Sequence, residues 1–412
     1  MAGSKLTAPS VLAPFRVPSF RFQWPADLLT SWAMEMELII LGWYVLVEGD
    51  SVFLLTLFGA LNFGGTLISP ILGTVSDRIG PRRLLMMMRS YYAVNALAIL
   101  LLAANDLLTP TIVLLLIAMV GLIRPSDLGF RAALISESMS REYLTGSLGL
   151  SRVTSDSARA AGALAGVGLS VWLGMAAAFL AIALLYCLGA LLTSRVATFV
   201  RSPDVTAAGE GPSAWRDLLE GVAYIRSTPS LVAVILLVLL FNFTAFPLTN
   251  GLLPYVAREV YRVDQAGLGY LVAGISCGAM LGGLLVSNAR LSAKTARLMA
   301  GAAIIWHALL LMFAQIETIT IAIPILFCIG FLQSLAMIAL TVLLVRESGE
   351  RFRGRVMGLR MMAIYTLPIG LMLAGVLIEL IGFAMTASIY AGSGLVLTAL
   401  IAFLWRDSLW PG

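Results

Sequence analysis

The sequence predicts an all-α membrane protein with twelve transmembrane helices in two pseudo-symmetric six-helix bundles. Three observations predict it: an apolar composition, a series of apolar runs each long enough to cross a bilayer, and short motifs that recur between the two halves. Of 412 residues, 60% are hydrophobic and 12% charged, against about 25% charged in a soluble domain. Mean hydropathy is +0.95. A soluble protein of this composition would have almost no polar surface to offer water. One crossing needs about 20 mostly apolar residues, so the chain has room for roughly a dozen.

Residues 1–23 are polar to amphipathic. Within them the stretch 14–21 is expected along the membrane surface, with Arg16 and Arg21 toward water and Phe15 and Phe20 toward lipid. Spans are read at 24–48, 52–75, 83–104, 111–136, 145–171 and 174–195. The segment 196–228 is the one long polar stretch and holds Pro203, Gly209, Gly211 and Pro212. It reads as a linker between an N-terminal bundle, 1–195, and a C-terminal bundle, 229–412. Six more spans follow at 229–257, 266–287, 297–315, 319–344, 354–381 and 383–405.

Charge sets the orientation. Of 27 Lys and Arg residues, this layout leaves only Arg258 and Arg262 in outer loops. Arg124, Arg131, Arg152, Arg159 and Arg360 fall within spans, and all the others, Arg89 included, fall on the inner side. That bias puts both termini in the cytoplasm. Because the basic residues follow the loops, the net charge of +5 is no nucleic-acid footprint. No N-terminal signal peptide is read. Cys187, Cys277 and Cys328 lie in apolar runs and suggest neither disulfide nor metal site. No cofactor is implied.

The halves share motifs at one offset. Gly149-Leu150 recurs as Gly358-Leu359, and Ala165-Gly166-Val167 as Ala374-Gly375-Val376. Duplicated halves about a central cavity are a transporter architecture. Small-residue stripes, Gly162 with Gly166 and Gly274 with Gly278 and Gly282, mark close helix crossings. Such smooth faces are expected to slide when the halves rock.

Ionisable residues far from any loop give the sharpest signal, because a charge at mid-bilayer costs about 2.5–3.5 kcal/mol. The first span carries Glu35 and Glu37, which point to nearly opposite sides of one helix. The fourth carries Arg124, Asp127 and Arg131 on one stripe, and the fifth carries Arg152, Asp156 and Arg159. Acids and bases balance, as a buried network requires. Glu35, Glu37, Asp127 and Asp156 are therefore the candidate proton carriers, and Arg124, Arg131, Arg152 and Arg159 the counter-charges. Candidate substrate contacts are Trp32, Asn62, Asn242, Asn250, Trp306, Gln333 and Tyr365. His307, beside Trp306, reads as a packed core residue rather than a proton relay.

Between the second and third spans lies the polar stretch 73–83, with Gly73, Asp77, Arg78, Gly80, Arg82 and Arg83. Its order and spacing resemble the Gly-x-x-x-Asp-Arg/Lys-x-Gly-Arg-Arg/Lys motif of the major facilitator superfamily of secondary transporters. Pro81 replaces the basic residue that usually follows the second glycine. The resemblance implies the twelve-helix fold of that family. It also implies that Asp77 latches the inner ends of the halves by facing Gly354 and Arg355. The stretch from Phe130 to Gly166, with Arg131, Glu137, Arg141 and the pair Ala158-Arg159, is similar to the fourth-to-fifth-span region of proton-coupled drug and siderophore exporters, although Ala163 stands where those carry proline.

The reading implied is proton-coupled export of a small amphipathic or hydrophobic compound by alternating access, across a bacterial inner membrane. The partners are a small-molecule substrate, protons and lipids; a monomer is expected. Uptake or facilitated diffusion of a lipid, nutrient or metal ion by the same fold is the alternative. An intramembrane enzyme is the remote one, since the chain has one histidine and neither a phosphate-cradling loop nor zinc-ligand spacing.

Overall fold

Proline and small polar caps set most helix starts. The computed structural model describes residues 13–65, 69–139, 141–197, 214–288, 295–349 and 352–409. Helix α1, Pro18–Gly49, opens on a proline at its first turn and ends at Asp50, whose φ is 44°. Ser51 then caps α2, Val52–Leu61, by accepting a hydrogen bond from the Leu54 amide at 3.3 Å. The second crossing continues in α3, Ser69–Ile79, and Gly80 turns the chain into α4, Pro81–Ala104. Thr109 caps α5, Pro110–Gly121, through the Ile112 amide. A 3₁₀ turn at Arg124–Ser126, built on Pro125, breaks the fourth crossing before α6, Asp127–Ser138.

Helix α7, Arg141–Ser194, is two crossings joined at Gly174, whose φ and ψ are 82° and 168°. Contacts with α1 show the reversal. Gly162 meets Trp32 and Glu35, and Gly166 meets Met36, so the first arm runs parallel to α1. Tyr186 reaches Glu37 while Gly189 meets Ala26 and Thr30, so the second arm runs antiparallel.

The short helix α8, Ala214–Ser227, precedes α9, Pro229–Leu240, and the chain bends by 114° between them. The seventh crossing then loosens into π turns at Phe241–Ala245, Pro247–Gly251 and Val256–Val260, with α10, Leu253–Tyr255, between the last two. Helices α11, Gln265–Asn288, α12, Thr295–Phe313, and α13, Ile319–Glu347, follow. The eleventh crossing is α14, Arg353–Met362, plus α15, Thr366–Ile381. Gly382, φ 81° and ψ 166°, turns it into α16, Phe383–Leu404, with the same backbone geometry as Gly174.

Among the described residues, nine helices are each long and apolar enough to cross a membrane, and the bent pair gives a tenth. Splitting α7 at Gly174 and joining α2 to α3 completes twelve. All described elements are helical. The first crossing therefore begins and the last one ends on one face, called here the terminal face; the opposite one is the far face.

Packing is dense where backbones touch. Gly278 lies against the Phe327 carbonyl and Gly330 against that of Ile275, leaving no room for a side chain. The glycine stripes thus lock α11 to α13, and α7 to α1, inside each half. They are not sliding faces between halves. The halves instead meet through α2 against α15, the first arm of α7 against α11, and α1 against α10. Two expectations change. The start of α1 does not lie on lipid: Phe20 is buried against Ile135 and Met139, with Phe15 and Trp24 edge-on nearby. Arg89 is not an inner-loop charge but fully buried within the first bundle.

Candidate functional site

Two chambers lie where the halves face each other. The one toward the far face has a volume of about 210 Å³ and is lined by Glu35, Asn62, Arg159, Asn250 and apolar residues such as Phe58 and Leu371. The one toward the terminal face has about 520 Å³ and is lined by Arg159, Gln333 and Arg360 among others. Arg159 lines both. Its guanidinium donates to Asn250 Oδ1 across the two halves, so this pair forms the partition.

The far face is clasped. Arg258 donates to the Asp50 carboxylate at 2.9 Å and to the Leu46 carbonyl at 2.7 Å. Ser170 donates to Gln265 Oε1 at 3.1 Å. No element contacts of similar extent join the halves at the terminal face among the described residues. Among the described residues, the contacts that clasp the halves together are those of the far face.

Pro125 breaks the fourth crossing and delivers Arg124 into the first bundle. There Arg124 pairs with Glu37 and donates to Asn62 Oδ1 at 2.9 Å, while Tyr186 donates to Glu37 at 2.8 Å. Glu37 is 1% exposed. Asn62 joins this buried pair to the far-face chamber. Glu35, two residues away, faces the chamber instead. The opposition read from the sequence thus separates the two acids completely.

A second network joins Asp127 and Arg131, expected as partners, to Asp27 and Arg89, which were not. Asp27 pairs with Arg89, and Arg131 pairs with Asp127, with Arg131 Nε 3.9 Å from Asp27 Oδ1. Arg131 also donates to Ser31 Oγ at 2.6 Å and to the Asp27 carbonyl at 3.2 Å. Arg89 donates to Thr193, and Gln23 and Ser138 extend the web. Two acids meet two bases, so the group is neutral overall, as burial demands. The missed signal was register. Arg89 lies seven residues, or two turns, past Arg82, well inside an apolar run.

In the second half, Asn242 is buried and donates to the Val238 carbonyl at 2.9 Å. Trp306 is fully buried against Phe241 and Phe246. His307 is buried between the Ala303 carbonyl, 2.9 Å, and Thr244 Oγ1, 3.2 Å. Of the candidate substrate contacts, Asn62, Asn250 and Gln333 line the chambers; Trp32, Asn242, Trp306 and Tyr365 line neither.

At the terminal face, Gly80 adopts φ 84°, Arg78 and Arg83 are exposed, and Arg82 donates to the Val196 carbonyl just past α7 at 2.9 Å. Arg355 binds Glu220 of α8 at 2.9 Å and stacks on Phe352. Gly73 lies in α3 with no atom near its missing side chain. The side chains of Asp77, Arg152 and Asp156 lie outside the described residues.

The family model described as Major Facilitator Superfamily matches residues 25–368. A search of curated protein sequences finds no match. Among solved structures, the POT family transporter PepTSo aligns with TM-score 0.74 at 12% identity, covering 96% of this chain and 99% of that one. A bacterial homologue of the human lysosomal transporter Spinster, in an inward-facing and occupied conformation, gives 0.72 at 13%, covering 96% and 97%. The human organic anion transporter MFSD10 gives 0.68 at 16%, covering 94% and 99%. These likenesses extend over whole chains, and at such identities they speak for the fold.

Proposed function

Since the chain belongs to the Major Facilitator Superfamily and is a transporter rather than an enzyme, we propose that it moves a small amphipathic compound by alternating access, driven by protons through Glu35. One observation carries this reading. Glu35 brings a carboxylate from the middle of the first crossing into the lining of the chamber between the halves. A carboxylate at a water-accessible cavity can gain and lose a proton without breaking the bundle. Its protonation shifts the balance between the two facing states.

The bundles 1–195 and 229–412, joined by 196–228, are the rocking bodies. The Lys and Arg bias supports cytoplasmic termini in a bacterial inner membrane, which makes the clasped far face the outer one. In this state Arg355 is held by Glu220. Rocking shut would bring the α3–α4 turn, with Asp77, toward Arg355 and the start of α14, where a carboxylate gains from the helix dipole. Asn62, Asn250 and Gln333 are the substrate contacts this geometry favours.

The sequence resemblance supports export by exchange, in which adding substrate to the purified protein releases protons. The two arginines of the inner chamber favour a second reading, uptake of an anion together with a proton, in which adding substrate consumes protons. Proteoliposomes under an imposed pH gradient test the common claim. Transport of a drug, siderophore, peptide or nucleoside panel should collapse with a protonophore. Transport that persists at full rate without the gradient would defeat proton coupling.

A further inference from the structure

Two amides in the lining of the far-face chamber are oriented by arginines. Asn62 closes the end of α2 and Asn250 lies in the second π turn, one in each half. Arg124 donates to Asn62 Oδ1 at 2.9 Å, and Arg159 donates to Asn250 Oδ1. A guanidinium carries donors and no acceptor, so each arginine fixes which end of its amide faces it. The other end, the NH2 group, is turned elsewhere. Among the described residues, neither Asn62 Nδ2 nor Asn250 Nδ2 has a hydrogen-bond partner. Asn62 is only 6% exposed, and the chamber is the space it lines. A donor so enclosed is costly to leave unmet, so it points to a ligand atom that meets it. Donation into each oxygen also polarises the amide, which strengthens its N–H groups as donors.

The two amides sit on neighbouring backbones. Leu371 of α15 fills the notches left by Gly59, one turn before Asn62, and by Gly251, next to Asn250. One leucine side chain therefore spans the gap between them. Glu35, also in the lining, has a partner of its own within the protein. Most of the remaining wall is apolar and includes Phe58, Phe63, Leu268 and Val272.

We infer that the far-face chamber takes its substrate by an oxygen acceptor: an amphipathic compound whose carbonyl, as in a ketone, ester or amide, receives hydrogen bonds from Asn62 Nδ2 and Asn250 Nδ2. This rests on the transport reading above and names its substrate class. One donor belongs to each half, so the acceptor ties the halves together at the chamber. A compound of the same shape without the oxygen leaves both donors unmet. An ammonium compound sets donors against donors and is rejected for that reason.

The test uses the full-length protein in detergent and three probes of similar shape: 2-acetylnaphthalene, 2-isopropenylnaphthalene and 2-naphthylmethylammonium. Equilibrium dialysis against protein-free micelles of the same detergent measures binding. The ketone is expected to bind at least tenfold tighter than the matching hydrocarbon and than the ammonium. Asn62→Asp and Asn250→Asp keep an oxygen for each arginine and remove the N–H donors. Each should weaken the ketone at least fivefold and leave the hydrocarbon within twofold, a split that lost packing would not give. Each variant must elute monodisperse and melt near the parent; Asn62→Leu and Asn250→Leu, which also remove the donors, serve where an Asp variant does not fold. Equal binding of ketone and hydrocarbon, an ammonium that binds as tightly as the ketone, a ketone preference that survives at both positions, or no measurable ketone binding would each overturn the acceptor site. If the preference fails while Glu35 still governs pH-driven opening, only the substrate class falls; if the pH response fails while the preference stands, proton driving falls and the acceptor site remains.

Discussion

Arg159 and Asn250 meet at the plane where the two halves divide the central space, one residue from each half. The bond is charge-assisted and bridges the moving bodies, so it must break or be exchanged once per cycle. Asn250→Ala is expected to lower transport at least tenfold while shifting the melting temperature by only a few degrees. Proteoliposome flux and a thermal melt of the same preparation check this. Unchanged flux would show that the partition is passive.

Glu37 and Arg124 make the opposite kind of contact, a buried lock within one half. Glu37→Ala leaves a buried guanidinium without its counter-charge and should cost about 3–5 kcal/mol. The double variant Glu37→Met with Arg124→Met removes both charges and should recover most of that loss. Chemical or thermal denaturation of the three proteins in detergent decides it. A double variant as unstable as the single would mean that Arg124 is fixed by Asn62 and packing instead.

Arg258 clasps Asp50 and the Leu46 carbonyl at the far face, where Asp50 is 84% exposed. Exposed pairs contribute about 0–1 kcal/mol, too little to matter for folding. A balance between two facing states is sensitive to that amount, since 1.4 kcal/mol is tenfold. Arg258→Ala should leave stability unchanged and enlarge the population open at the far face. Distance distributions between spin labels across that face would show it.

Gly174 and Gly382 hold the same backbone conformation, at the turn between the fifth and sixth crossings and at that between the last two. Residues other than glycine pay about 1–3 kcal/mol there. Gly174→Ala should lower stability by that amount, although no atom crowds its missing side chain. Gly168→Ala, a helical position with equally open surroundings, should be nearly neutral. Parallel melts of the two variants separate backbone strain from packing.

The twelve-crossing fold was legible because lipid imposes a simple rule: long apolar runs with charges at their ends. The position of Glu35 at a chamber wall was legible for the same reason, since no loop is near enough to excuse its charge. What the sequence concealed was pairing. Asp27 and Arg89 lie 62 residues apart, each within its own apolar run, and only three dimensions put them together inside the bundle. Trp306 and Asn242 looked like cavity residues because polar and aromatic groups stand out in an apolar run. A buried amide can also spend its hydrogen bond on its own helix, as Asn242 does with Val238. The far-face clasp was hidden because Arg258 and Asp50 lie far apart in sequence and each looks like an ordinary loop residue.

The central claim is that Glu35 reports the proton to the two-state equilibrium. Its most direct test places spin labels at Ser136 and Arg346, exposed near the terminal-face ends of the two halves, after replacing the native cysteines. Distances are then followed between pH 5 and pH 9 in lipid nanodiscs. The account expects the populations of open and closed distances to change with pH in the parent and to stay fixed, in one proportion, in Glu35→Gln. A Glu35→Gln protein that titrates like the parent would contradict it.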